Sequence, residues 1–114
     1  MGYESKIFIV EKSTIKENEK RYAELIAMVN ACKFYDLSKV FTIETDCYIY
    51  YNGEKILEDK YGEPLTEASI EDAIDFLEKS EQENPYRRAT ILLALLKSFK
   101  KEDWDNLAVL HYGY

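Results

Sequence analysis

The only histidine, His111, lies in the closing run LAVLHYGY. An imidazole does acid–base work when a nucleophile or a carboxylate stands within hydrogen-bond reach. None of the local patterns that supply such a partner occurs: no Gly-x-Ser-x-Gly, no His-Glu-x-x-His and no Cys-x-x-Cys. His111 is therefore expected to be a structural residue of a strand, and no catalytic residue is assigned. Cys32 and Cys47 lack metal-site spacing, and the N-terminal run MGYESKIFIV has no secretion-signal pattern. Both are expected to be reduced, buried thiols. Glu71, Asp72, Asp75 and Glu78 fall near one another on one helix face. A hard cation needs converging oxygens, so these carboxylates are expected to form a solvated face and no metal site is assigned. Gly2, Gly53, Gly62 and Gly113 are isolated from one another. No phosphate loop is present, and no cofactor is expected.

Tyrosine is the residue type in excess, with ten in 114 residues. It joins apolar area to a polar tip and loses little rotamer freedom on binding, so it is enriched at interfaces. Tyr48, Tyr50, Tyr112 and Tyr114 are expected to share one sheet face as a candidate interaction surface. The alternative is that helices cover that face and the rings are core. Arg87 and Arg88 join the candidates because they open a helix, where the dipole disfavours cations. Either Glu81 and Glu83 partner them, or one reaches a carboxylate or phosphate of a binding partner.

The net charge of −7 is unevenly distributed. Residues 44–83 hold three basic and thirteen acidic side chains, whereas residues 84–101 hold five basic and none acidic. The acidic balance disfavours nucleic-acid binding, in which neutralised phosphates supply most of the affinity. The longest apolar runs are far too short to span a bilayer, so no membrane association is expected.

These residues must be positioned by a single domain, 1–114, as the length indicates. SKIFIVEK alternates and is rich in β-branched residues, with both faces apolar, and reads as a strand inside a sheet. The polar STIKENEK reads as a hairpin connection. Residues 21–33 fit a helix by the spacing of Tyr22, Leu25, Ile26, Val29 and Cys32, and also a strand buried on both faces. The strand is the reading taken, with the helix as its alternative.

Asn52-Gly53 suits a two-residue type I′ turn, where both positions need positive φ. That turn sets Tyr51 opposite Glu54, Tyr50 opposite Lys55, Ile49 opposite Ile56, Tyr48 opposite Leu57 and Cys47 opposite Glu58. Ile49, Ile56 and Cys47 mark the core side; Tyr48, Tyr50, Lys55 and Asp59 fall outside. YGEPL breaks the second strand. An amphipathic helix follows, capped by Ser69 and burying Ile70, Ala73, Ile74 and Leu77. Asn84-Pro85 ends it. YRRATILLALLKSFKK is a second helix, apolar almost all round at ILLALL. In a monomer it is expected between the sheet and the first helix; in a homodimer it faces its twin. The last segment is a strand pairing with the first or third strand and burying Leu107, Val109 or Leu110.

The stretches EDKYGEPLTEASIEDAIDFLE, YRRATILLALLKSF and VLHYGY together resemble a family of small uncharacterised proteins encoded by phages and prophages of Gram-positive bacteria. That resemblance implies an α+β fold and an accessory role in the cytoplasm of a bacterial host cell, and it favours the strand reading of residues 21–33. It brings no active residues with it. The expected fold is α+β, an antiparallel sheet of four to five strands with two helices packed on one face. The expected function is non-enzymatic binding of a host or phage protein, with a host defence nuclease as one candidate target for an acidic inhibitor. The alternatives are a homo-oligomeric accessory protein and a small ligand-binding protein with a tyrosine-lined pocket.

Overall fold

The first strand, β1 (Ser5–Glu17), alternates its side chains between two buried faces. Ile7 and Ile9 enter one apolar cluster, and Phe8 and Val10 enter another. The computed structural model describes residues 5–17, 20–30, 39–58, 62–83 and 86–113. After β1 come β2 (Lys20–Asn30), β3 (Ile43–Glu44), β4 (Cys47–Tyr51), β5 (Glu54–Ile56), β6 (Thr66–Ala68), α1 (Ile70–Glu83), α2 (Arg87–Lys101) and β7 (Leu107–Gly113).

The strands form one sheet in the order β3-β6-β7-β1-β2-β4-β5. It is α+β, as expected, but the sheet has seven strands and is mixed, not four to five antiparallel strands. Three physical reasons account for the difference. The strands β3 and β6 are two and three residues long, too short to print a period. The pair β2–β4 is parallel through Arg21↔Cys47 and Tyr22↔Tyr48, a non-local contact that no turn signals. The polar STIKE does not end β1; Lys16↔Arg21 and Glu17↔Lys20 continue its ladder with β2.

Residues 20–30 are strand, which decides the helix-or-strand ambiguity for that part; residues 31–33, with Cys32, lie outside the described residues. The mixed signal has a cause in the register. Ile9 faces Ala27 and Val10 faces Leu25, so Ile26 is an extra residue in β2. A bulge of this kind switches which alternate positions face which side. Ala23 and Leu25 pack in one cluster, and Ile26, Ala27 and Val29 pack against the other.

The sheet curls. The strand β3 ends at Glu44 and β4 begins at Cys47, yet they stand near opposite ends of the strand order. Two intervening residues reach only about 11 Å, at 3.8 Å per Cα step. The two ends must therefore approach each other: Glu58, after β5, bridges Pro64, before β6, and the Thr45 N–H extends the β3–β6 ladder toward this junction by donating to the Leu65 carbonyl at 3.0 Å. Inside the curl lie Phe8, Val10, Ala23, Cys47, Ile49, Leu65, Ala108 and Leu110.

The convex side carries the helices. Ser69 caps α1 as expected, its Oγ accepting from the Asp72 N–H at 3.1 Å, and α1 buries Ile70, Ala73, Ile74 and Leu77. α2 buries Ala89, Leu92, Leu93 and Leu96 and leaves Ile91 59% exposed. It lies beside α1 rather than between α1 and the sheet: α1 rests on β7 and α2 on β2. One stripe of α2 suffices for this packing, so the surplus apolar residue faces out.

β7 is an interior strand, antiparallel to β1 on one side and β6 on the other. It buries Ala108, Val109, Leu110 and His111 and leaves Leu107 half-buried. Burying aliphatic side chains of this size is worth about 1.5–3 kcal/mol each. The Asn52-Gly53 turn has φ of 53° and 79°, both positive as required. Its register is the expected one for Tyr51↔Glu54, Tyr50↔Lys55 and Ile49↔Ile56, but β5 stops at Ile56, so the Tyr48–Leu57 and Cys47–Glu58 pairs do not form. Glu58 bridges Pro64 instead.

Candidate functional site

Alternation in β4 decides where the tyrosines go. Cys47 and Ile49 point into the curl, so Tyr48 and Tyr50 point out. Ala23 likewise points in, which turns Tyr22 outward beside its parallel partner Tyr48. The three rings cluster with centroids 5.8, 6.0 and 5.9 Å apart. The Lys55 ammonium sits 4.3 Å from the centroid of Tyr48, within cation–π range. Tyr22 and Tyr50 remain 40% and 52% exposed. With Ser13, Ile15 and Lys20 they line a groove of about 340 Å³ across the outer face of the sheet. Ile15 reaches it because Ser13 to Ile15 leave the β1–β2 ladder between Lys12↔Ala23 and Lys16↔Arg21.

The structure brings together Tyr48 and Tyr50 but not Tyr112, Arg87 or Arg88. Tyr112 sits at the rim of the curl on the opposite side, its ring 6.2 Å from Phe8 and the Lys6 ammonium 5.1 Å from its centroid. The expectation of one shared face fails because Tyr112 alternates with His111 in the same register as Leu110, whose side chain points inward. Tyr114 and Asp59 lie outside the described residues. Arg87 and Arg88 are exposed on the helical layer and line no part of the groove. Glu81 accepts from the Thr90 hydroxyl instead of pairing with them. Among the described residues neither arginine forms an ion pair. Tyr22, Ile15 and Lys20 were missed: β2 reads as buried on both faces, and only the parallel pairing with β4 shows that its first turn of side chains faces out.

His111 and Ser5 hydrogen-bond through Nε2 and Oγ at 2.9 Å. The atoms are those of a nucleophile–base pair, but Ser5 is 1% and His111 8% exposed, and the Phe41 ring packs on the imidazole at 5.3 Å. The pair is closed to any substrate and ties the two edges of the β1–β7 ladder instead.

A second polar cluster lies where the curl closes. Ligand atoms of Asp46, Cys47 and Glu67 fall within 4.8 Å of one another. The chain supplies its own cations there. The Lys12 ammonium contacts Glu67 at 2.6 Å, and Arg21 Nε stands 3.6 Å from Asp46. Thr45 Oγ1 donates to Glu67 at 2.7 Å and accepts from the Cys47 N–H at 3.1 Å. Burial pushes the Cys47 thiol above its ordinary value, and the Thr45 hydrogen bond opposes this only in part. A thiol held protonated is a poor metal ligand and a poor nucleophile. The cluster is a knot fastening β6, β1 and the β3–β4 junction. The carboxylates of Glu71, Asp72, Asp75 and Glu78 are exposed on α1, where Glu78 pairs with Lys97 of α2 at 3.7 Å.

No protein-family model, no curated protein and no solved structure matches this chain. Among the described residues no helix is long and apolar enough to cross a membrane.

Proposed function

We propose that the chain is a non-enzymatic accessory protein that binds another protein through the outer tyrosine face of its sheet. The observation that carries this reading is the groove of Tyr22, Tyr48 and Tyr50. Large rings on a rigid scaffold, left uncovered by the helices, are the composition and placement of an interface centre. The resemblance noted in the sequence gives the setting: a phage or prophage product meeting a host or phage protein in the cytoplasm of a bacterial cell. A homodimer through α2 has less support, since Leu92, Leu93 and Leu96 of that helix are buried within one chain and Ile91 is left exposed.

The test compares capture of host or phage proteins by the wild type and by the double variant Tyr22→Ala/Tyr50→Ala, with circular dichroism to verify folding. Loss of a specific partner from a variant that still melts cooperatively is the expected result. A partner held equally by both proteins moves the function off this face. The outer face of α1 supports a second reading. Its four exposed carboxylates suit an inhibitor that occupies the phosphate-binding groove of a host nuclease. Charge reversal at Glu71 and Asp75 then abolishes capture while the tyrosine variant retains it.

A further inference from the structure

Resting on that protein-binding reading, we infer that the tyrosine groove takes an acidic, extended peptide segment of the partner. Two observations converge on this occupant. First, the groove is the aromatic, cationic part of an acidic chain. Its lining contains Lys20, and Lys55 lies over Tyr48, whereas among the described residues no carboxylate lines it. Glu54, opposite Tyr51, points off the other face of the hairpin. Second, the rings stand at 53°, 47° and 86° to one another. Tilted rings leave slots between them, the kind of surface that accepts proline or aliphatic side chains of an extended segment.

The same facts weigh against two other occupants. Stacked bases need ring faces lying open and flat, but Lys55 covers Tyr48 and the rings are not coplanar. A second copy joined edge to edge through β5 would set Lys55 against its own twin near the twofold axis, a repulsive pair.

The test is a fluorescence-anisotropy titration of the whole chain, at low salt, with a labelled peptide of four Glu-Pro-Pro repeats. A Lys-Pro-Pro counterpart and an oligothymidylate serve as comparisons. The Glu peptide is expected to bind saturably and the Lys peptide not to bind. Tyr50→Ala is expected to weaken binding about ten-fold, and Lys20→Gln/Lys55→Gln about five-fold or more, with a salt dependence that flattens in the double variant. Equal binding of both peptides, tighter binding of the oligothymidylate, or a concentration-dependent dimer abolished by Tyr50→Ala overturns the inference. A silent peptide alongside partner capture that needs Tyr22 and Tyr50 overturns the acidic occupant and leaves the protein-binding reading standing. Partner capture that survives Tyr22→Ala/Tyr50→Ala overturns both.

Discussion

Leu110→Ala is the sharpest probe of the claim that β7 is an interior seam. Leu110 has 0% exposure and packs inside the curl with Phe8, its directly paired neighbour on β1. Truncation to alanine removes three carbons. At about 0.8 kcal/mol per buried methylene, the transfer loss is about 2.4 kcal/mol. The neighbours are held by ladders on both sides and cannot collapse fully into the space, so a cavity contribution brings the total to about 3–4 kcal/mol. Against a net stability of about 5–15 kcal/mol for a domain of this class, that is a large fraction. The expected fall in melting temperature is about 12 °C or more, at about 4 °C per kcal/mol. Leu107→Ala is the internal comparison: the same truncation at a half-buried position of the same strand should cost less than half as much. Urea denaturation followed by circular dichroism measures both, and the slope of unfolding free energy against urea should be unchanged. A Leu110→Ala protein within about 0.5 kcal/mol of wild type, or one no less stable than Leu107→Ala, would refute the placement of β7 in the core.

Gly53→Ala should cost about 1 kcal/mol, because the left-handed backbone at φ 79° is unfavourable for any side chain although nothing lies within 4 Å of the added carbon; thermal melts measure it, and an unchanged midpoint would argue against the turn. Glu67→Ala leaves Lys12 and Thr45 without their shared acceptor and should cost about 1–3 kcal/mol; a double-mutant cycle with Lys12→Ala should show coupling, and additive losses would break the knot into independent contacts. Cys47 should react with a thiol reagent far more slowly in the native chain than in urea, because its thiol is held above the ordinary value of 9.0. With the folded value raised, the unfolded chain releases the proton first, so this group's contribution to stability is present below about pH 9 and falls as pH rises beyond it. A Cys47→Ala variant should lose that alkaline slope, and an unchanged slope would assign it to other groups.

Local signals carried much of the fold. The Asn52-Gly53 turn, the Ser69 cap and the stripe Ile70, Ala73, Ile74 and Leu77 each depend on residues within a few positions of one another, and each is where the sequence places it. What escaped is non-local or short. Residues 43–44 and 66–68 have no room for a period. The parallel meeting of Tyr22 with Tyr48 joins segments separated by a bulged strand and a long connection. For the site, the outward turn of Tyr48, Tyr50 and Lys55 followed from hairpin register alone. The company they keep did not, because Tyr22, Ile15 and Lys20 arrive by way of the curl. Tyr112 was assigned to the wrong face for the converse reason: without the β1–β7 register, alternation says which residues share a side but not which side that is.

β1 holds the helical layer with one set of side chains and fills the curl with the other. Neither compartment has a wall of its own on that side, so loss of β1 order opens both together. The molecule should therefore show one calorimetric endotherm rather than two. The backbone amides of Ile7 to Val10 should exchange with deuterium only through complete unfolding. A polar substitution at either set, Ile9 or Phe8, should lower that single transition as a whole.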